Sequence, residues 1–186
     1  FVDRLATAVR GLKVGDGAQA GVTIGPLINA AATAKVAEHL QDALAKGAQA
    51  LVGGQRLTDS AYAQGNFYPP TVLVGVSPDM RIAQEEVFGP VLSVLTFRTL
   101  EEAITLANDA SYGLSAGVCS ENVHTCLEFA RRAQAGTVWT NTWMDGFPEL
   151  TFGGFKQSGV GRDKSLHAFD KYTETKTTWI RIDSPV

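Results

Sequence analysis

Apolar positions at the head of the chain, Phe1, Val2, Leu5, Ala6, Val9 and Leu12, recur with a helical period. No capping residue precedes them, so the segment reads as a helix entered part-way, with more chain expected upstream. A glycine-rich loop runs from Val14 to Pro26. Asn29 is placed to cap a helix over 30–46, with Val36, Leu40 and Leu44 on one face and Gly47 just past its end. Short apolar runs at 50–52, 71–74, 91–97, 114–119 and 137–141 predict strands. Thr99 and Glu102 form a capping box that opens a helix to Asn108. Ser120 is placed to cap a helix over 121–133, which Gly136 ends. Strands alternating with helices predict βαβ units and an α/β fold with a parallel-rich twisted sheet and flanking helices. The nearly continuous apolar runs at 91–97 and 114–119 suit strands buried on both faces. After a glycine-rich stretch from Met144 to Gly161, residues 172–180 alternate in a β-prone composition. They have no evident partner in the α/β core, which predicts edge pairing outside it, with another subunit.

The length of 186 residues fits one domain, or one domain with a short appendage, and 45% hydrophobic content supplies a substantial core. The net charge of −3 is well mixed, and no basic stripe of the kind that reads nucleic acid is present. No apolar run approaches the roughly 18 residues that span a bilayer. Asp3 and Arg4 fall where a signal peptide would be apolar. The expectation is a cytoplasmic protein with neither nucleic-acid nor membrane partners. The two cysteines, Cys119 and Cys126, lack a partnering motif, so neither a disulfide framework nor a zinc site is predicted. The scattered histidines predict no metal site.

Candidate chemistry is sparse when the residues are read singly. Cys119 ends a predicted strand just before a helix, where a thiol pKa can fall. No histidine is placed to activate it, and it reads as a buried structural residue. Cys126 reads as core packing, His39 as flanking the core beside Leu40, His124 as surface, and His167 as a capping or packing residue. There is no P-loop and no strand followed by G-x-G-x-x-G. Two segments are more specific. Residues 82–91 set Glu85, Glu86 and Phe88 at a turn before an apolar strand. A carboxylate there can accept hydrogen bonds from ribose hydroxyls, and a nearby ring can pack on a flat cofactor. On composition alone, an acidic turn followed by a core phenylalanine fits better. Residues 152–163, after the strand ending at Asn141, set glycines around Lys156 and Arg162. A shaped loop at a site mouth or subunit contact, and a purely structural loop, both fit.

Taken together, these segments resemble the aldehyde dehydrogenase superfamily. Glu-Glu-Val-Phe-Gly-Pro-Val, 85–91, is similar to its E-x-F-G-P motif. Phe-Gly-Gly-Phe-Lys-Gln-Ser-Gly-Val-Gly-Arg, 152–162, is similar to its P-F-G-G-x-K-x-S-G-x-G-R-E signature. Gly25-Pro26-Leu27-Ile28, Tyr68-Pro69-Pro70-Thr71-Val72-Leu73, Tyr112-Gly113-Leu114, Gly136-Thr137-Val138-Trp139 and Tyr172-Thr173-Glu174 match in the family's order across nearly the whole chain. Thr151 stands where the signature has proline, and Asp163 where it has glutamate. The resemblance implies a partial catalytic domain over 1–168 and a C-terminal oligomerisation strand over 169–186, with a cofactor-binding domain upstream. It implies a homo-oligomer that takes NAD or NADP and a small-molecule aldehyde. The family reaction is covalent, with a cysteine attacking the aldehyde and a glutamate activating water.

Neither Cys119 nor Cys126 matches the nucleophile's motif, so no catalytic residue is assigned to this chain, and it is expected to be inactive alone. Glu86 resembles the ligand of the nicotinamide ribose hydroxyls, and Phe88 the aromatic beside the nicotinamide. Phe152 resembles an aromatic of the substrate tunnel, with Asn141 at the edge of that site. Residues 142–150 match the variable, substrate-selecting loop. The tail 161–168 is most similar to the branch acting on γ-glutamyl-aminobutyraldehyde and related aminoaldehydes, which makes Asp145 or Glu149 a candidate for attracting a cationic group. A non-catalytic interaction module derived from the fold is the alternative. A relative that makes acyl-CoA or reduces acyl phosphates on the same architecture is a third reading, disfavoured by the Phe-Gly-Gly-x-Lys-x-Ser-Gly loop. Without a covering cofactor domain the chain is expected to expose apolar surface and self-associate.

Overall fold

In the computed structural model, which describes residues 1–183, the first unit, Phe1–Ala110, is organised around α2 (Ala30–Ala45). Asn29 caps it as expected, its side-chain oxygen accepting from the Ala32 N–H at 2.8 Å. Gly47, at φ 101°, takes the chain out of the helix in the left-handed region that glycine favours. The face carrying Val36, Leu40 and Ala43 is sealed against Tyr68, Leu73, Val76, Met80 and Ile82, which together form the core of this unit. Leu44, expected on that face, is 42% exposed instead. α1 (Val2–Arg10) lies beside β1 (Gln49–Val52), with the Arg10 guanidinium donating to the Leu51 carbonyl.

The architecture is α/β, and the connections decide the strand directions. β1 and β2 (Thr71–Val74) are joined by a loop and pair antiparallel. The chain then crosses through the short helix α3 (Arg81–Gln84), and β3 (Val91–Ser93) pairs parallel with β2. A parallel return needs a crossover and an antiparallel one does not. β3 is shorter than the predicted run to Phe97. Its last ladder contact is the Val94 N–H to the Leu73 carbonyl, because β2 ends at Val74 and Gly75 turns the chain away at φ 68°. Phe97, beyond the strand, is exposed, and so is Leu92 within it, so β3 is not buried on both faces as expected. α4 (Leu100–Asp109) is capped by Thr99, but the Glu102 carboxylate reaches the N–H of Arg98 rather than of Thr99, one residue beyond the usual box.

The second unit, from Ser111 onward, holds two further small sheets. β4 (Tyr112–Gly113) pairs antiparallel with β7 (Phe155–Lys156). β5 (Ser115–Val118) pairs parallel with β6 (Thr137–Thr140) through α5 (Val123–Arg132), one βαβ unit. The cap of α5 is Asn122, not Ser120. Asn122 Oδ1 accepts from the N–H groups of His124 and Thr125, while Ser120 Oγ accepts from the Asn122 N–H ahead of the helix. Cys126 is buried as expected, whereas Cys119 is exposed rather than structural. A 3-10 helix, Leu166–Lys171, follows the glycine loop. Residues 173–183 carry neither helix nor strand, and Trp179, Ile180 and Ile182 stand largely in solvent. The predicted segment 172–180 thus has no ladder partner among the described residues, and the last three positions of 169–186 lie outside them.

Candidate functional site

The turn that carries Glu86 and Phe88 is built by docking on α2. Lys35, His39 and Asp42 stand on one face of that helix, at i, i+4 and i+7. Each holds a different point of the segment 81–86. Asp42 Oδ2 accepts from the Arg81 N–H at 3.3 Å, His39 Nε2 meets Glu85 Oε2 at 3.0 Å, and Lys35 Nζ donates to the Glu86 carbonyl at 2.5 Å. Arg81 closes the set by donating to both Glu85 carboxylate oxygens, at 2.9 and 3.0 Å.

His39 was expected only to flank the core, but it is completely buried. Its Nδ1 faces the Lys35 carbonyl at 2.8 Å and its Nε2 faces a carboxylate. Both ring nitrogens are thus engaged, one within α2 and one on the segment that leads to the turn. The hydrogen bond from Arg81, with the charges of Arg81 and His39, holds the Glu85 carboxyl at about 2, well below its ordinary 4.5 and against the opposing effect of desolvation.

The turn leaves its candidate ligands free. Phe88 adopts φ 54°, a left-handed conformation rare for a bulky residue, and its ring is 78% exposed. This overturns the reading of a core phenylalanine. The Glu86 side chain is exposed, and among the described residues its carboxylate has no partner, only the backbone carbonyl being engaged. At the next position a Cβ built on Gly89 would overlap Val36 Cγ2, so glycine there permits the close approach to α2. A free carboxylate and a free ring on one braced turn suit the ribose and the planar ring of a dinucleotide.

Asn141, Asp145 and Phe152 belong to the second unit. Asn141, at φ 55°, commits its side-chain amide to a two-way clamp on Ser120, Oδ1 accepting from its N–H at 2.8 Å and Nδ2 donating to its carbonyl at 3.0 Å. The Trp139 indole donates to the Asp145 carbonyl, and Thr142 Oγ1 donates to the Asp145 carboxylate. Residues 141–150 are all exposed. Phe152 is half-buried, bridged to Asp163 through both backbone groups, with Lys164 Nζ 5.5 Å over its ring. Arg162 shapes the glycine loop by donating to the carbonyls of Gly154 and Gly161, at 2.8 and 2.9 Å, and stands 5.3 Å over the Phe155 ring. A Cβ at Gly136 would collide with the Gly153 carbonyl, so two glycines let the start of β6 and the loop touch. Asn141 and Arg162 are thus occupied in building their own loops.

The aldehyde dehydrogenase family pattern matches residues 1–178. A mitochondrial aldehyde dehydrogenase from Leishmania tarentolae is 40% identical over 176 residues, 95% of this chain and 34% of that protein. The indole-3-acetaldehyde dehydrogenase of P. syringae, solved with NAD+ and IAA, superposes with a TM-score of 0.91 at 44% identity, over 98% of this chain and 36% of that one. The succinate-semialdehyde dehydrogenase of Burkholderia pseudomallei gives 0.86 at 45% identity, over 92% and 35%. The chain spans roughly a third of the length of these relatives.

The lowered Glu85 pKa makes a pH signature. The folded value lies below the unfolded one, so the unfolded state binds the extra proton. The stabilisation is fully present above 4.5 and is lost as pH falls towards about 2. In thermal unfolding across that window, Glu85→Gln should show a shallower fall in midpoint than the parent protein. Parallel curves would remove Glu85 as a titrating contributor.

Proposed function

The chain belongs to the aldehyde dehydrogenase family, and on that premise we propose that it is the C-terminal portion of an NAD(P)+-dependent enzyme that oxidises an aldehyde to a carboxylic acid through a cysteine thioester. The observation that carries this reading is the pair Glu86 and Phe88, whose side chains are exposed on a turn held in an unfavourable backbone conformation. Bound NAD(P)+ supplies the hydride acceptor. The Glu86 carboxylate would accept hydrogen bonds from the ribose hydroxyls, and the Phe88 ring would offer the nicotinamide an apolar face. Phe152 contributes an apolar wall to the aldehyde channel, and Asn141 supports it indirectly by fixing the strand end through Ser120. The nucleophilic cysteine and the general base have no counterpart among these 186 residues, so the isolated chain is expected not to turn over.

Glu86→Gln should weaken NAD(P)+ binding to the full-length enzyme about tenfold, the loss of charge-assisted hydrogen bonds to a ligand. Because the carboxylate has no partner among the described residues, the thermal midpoint without cofactor should not move. Unchanged affinity in a calorimetric titration, or reduced nicotinamide produced by the 186-residue chain alone, would contradict the reading.

Within the family we infer the aminoaldehyde branch as the substrate class. The tail 161–168 and the exposed carboxylates of Asp145 and Glu149 support it. A cationic ω-amino group would be drawn to Asp145, whose orientation Thr142 restrains. Asp145→Asn should raise KM for an aminoaldehyde several-fold and leave KM for an uncharged aldehyde of equal length alone. Equal effects on both substrates would exclude the branch.

We also infer that residues 172–182 serve assembly. Trp179, Ile180 and Ile182 are 91%, 75% and 87% exposed, a concentration of apolar surface that a second subunit would cover. Trp179→Asp should shift the full-length enzyme to smaller species in sedimentation velocity, and an unshifted distribution would place the contact elsewhere.

A further inference from the structure

We propose that His39 is a positioning residue for the cofactor turn, with its ring setting where Glu86 and Phe88 stand; this rests on the reading of that turn as the NAD(P)+ ribose site. Three observations converge on it. His39 is the one wholly buried ionisable side chain among the described residues that joins α2 to the segment carrying the turn. Its two ring nitrogens hold partners on opposite sides, the Lys35 carbonyl within α2 and the Glu85 carboxylate in the residue immediately before Glu86. Glu85 is also gripped from α3 by Arg81, so its position is defined from both sides.

The consequence for the turn follows from the backbone. Glu85 is the C-cap residue just past α3, in an extended conformation, and its N–H still bonds back to the Arg81 carbonyl at 2.8 Å. From there the chain must pass Glu86, enter the left-handed conformation at Phe88 and press Gly89 against Val36. A bulky residue occupies such a conformation only where its surroundings enforce it. The enforcement comes from the α2 face. Glu85 is fixed by His39, Glu86 by Lys35 on its carbonyl, and Gly89 by contact with Val36. Lys35 is exposed and long, with much rotamer freedom to lose, whereas the His39 ring is enclosed and pinned at both ends. The rigid member of the clamp is therefore His39.

A side chain that merely filled the core would be replaceable by an apolar group of similar size. One that positions the turn through Glu85 would not. In the full-length enzyme, His39→Leu removes both hydrogen bonds, and His39→Gln keeps a donor that can reach Glu85. Leu40→Val loosens the same stretch of α2 without touching the turn. The expected result is a rise of about tenfold in the Kd for NAD(P)+ with His39→Leu, the loss of one charge-assisted hydrogen bond. His39→Gln should restore most of the affinity, and Leu40→Val should leave it unchanged even with a lower thermal midpoint. kcat at saturating cofactor should stay close to the parent value, so that the change falls on KM. Without cofactor, amide exchange at residues 86–89 should quicken in His39→Leu and not in Leu40→Val.

Parent-like affinity and exchange in His39→Leu would overturn the proposal, as would a His39→Gln variant no better than His39→Leu. If Glu86→Gln leaves NAD(P)+ binding untouched, the ribose reading itself fails and the proposal falls with it. If Glu86→Gln weakens binding while His39→Leu does not, the reading stands and the proposal alone is overturned.

Discussion

The first unit depends on a polar contact set inside an apolar one. α2 packs its Val36, Leu40 and Ala43 face into the core, and beside it the Lys35, His39 and Asp42 face takes hold of residues 81–86. The apolar face supplies the driving force, since burial is favourable and non-directional. The polar face supplies the register. A buried imidazole engaged at both nitrogens tolerates little displacement, because leaving a buried polar group unpaired is costly. The docking of α3, the path of the turn and the exposure of Glu86 and Phe88 all follow from where that helix lies.

The second unit solves its problem with backbone contacts. Asn141 ties the end of β6 to Ser120 beyond β5, and so fixes where the exposed loop 141–150 begins. The signature loop is shaped by glycines that touch and by Arg162, which donates to two of their carbonyls. These contacts depend little on the identity of exposed side chains. A loop rooted this way can vary at 142–150 and still spring from the same base, the usual division between a rigid scaffold and a variable binding loop.

Much of the local structure was legible because its causes are local. A capping asparagine followed by a periodic apolar face needs no distant partner to declare α2, and the run at 71–74 appears as β2 at its predicted limits. Strand ends were less legible. The run 91–97 is uniformly β-prone, yet only 91–93 form a strand, because the pairing partner ends first. Ser120 has the chemistry of a cap, but its backbone is held by Asn141, and Asn122 takes the role. Cys119 was expected inside and lies outside, since burial at a strand end depends on what packs over it.

By itself, the sequence determined the α/β class, the order of the four longer helices and of β1, β2, β3, β5 and β6, and the two motifs by which the chain resembles its family, because periodicity, capping and motif spacing are properties of contiguous residues; it missed α3, β4 and β7, which are two to four residues long. Only the tertiary structure decided that β1 runs against β2, that Phe88 faces solvent and that His39 lies buried against Glu85. Each of these joins positions far apart along the chain, and burial and hydrogen-bond partnership exist only once distant segments share a surface.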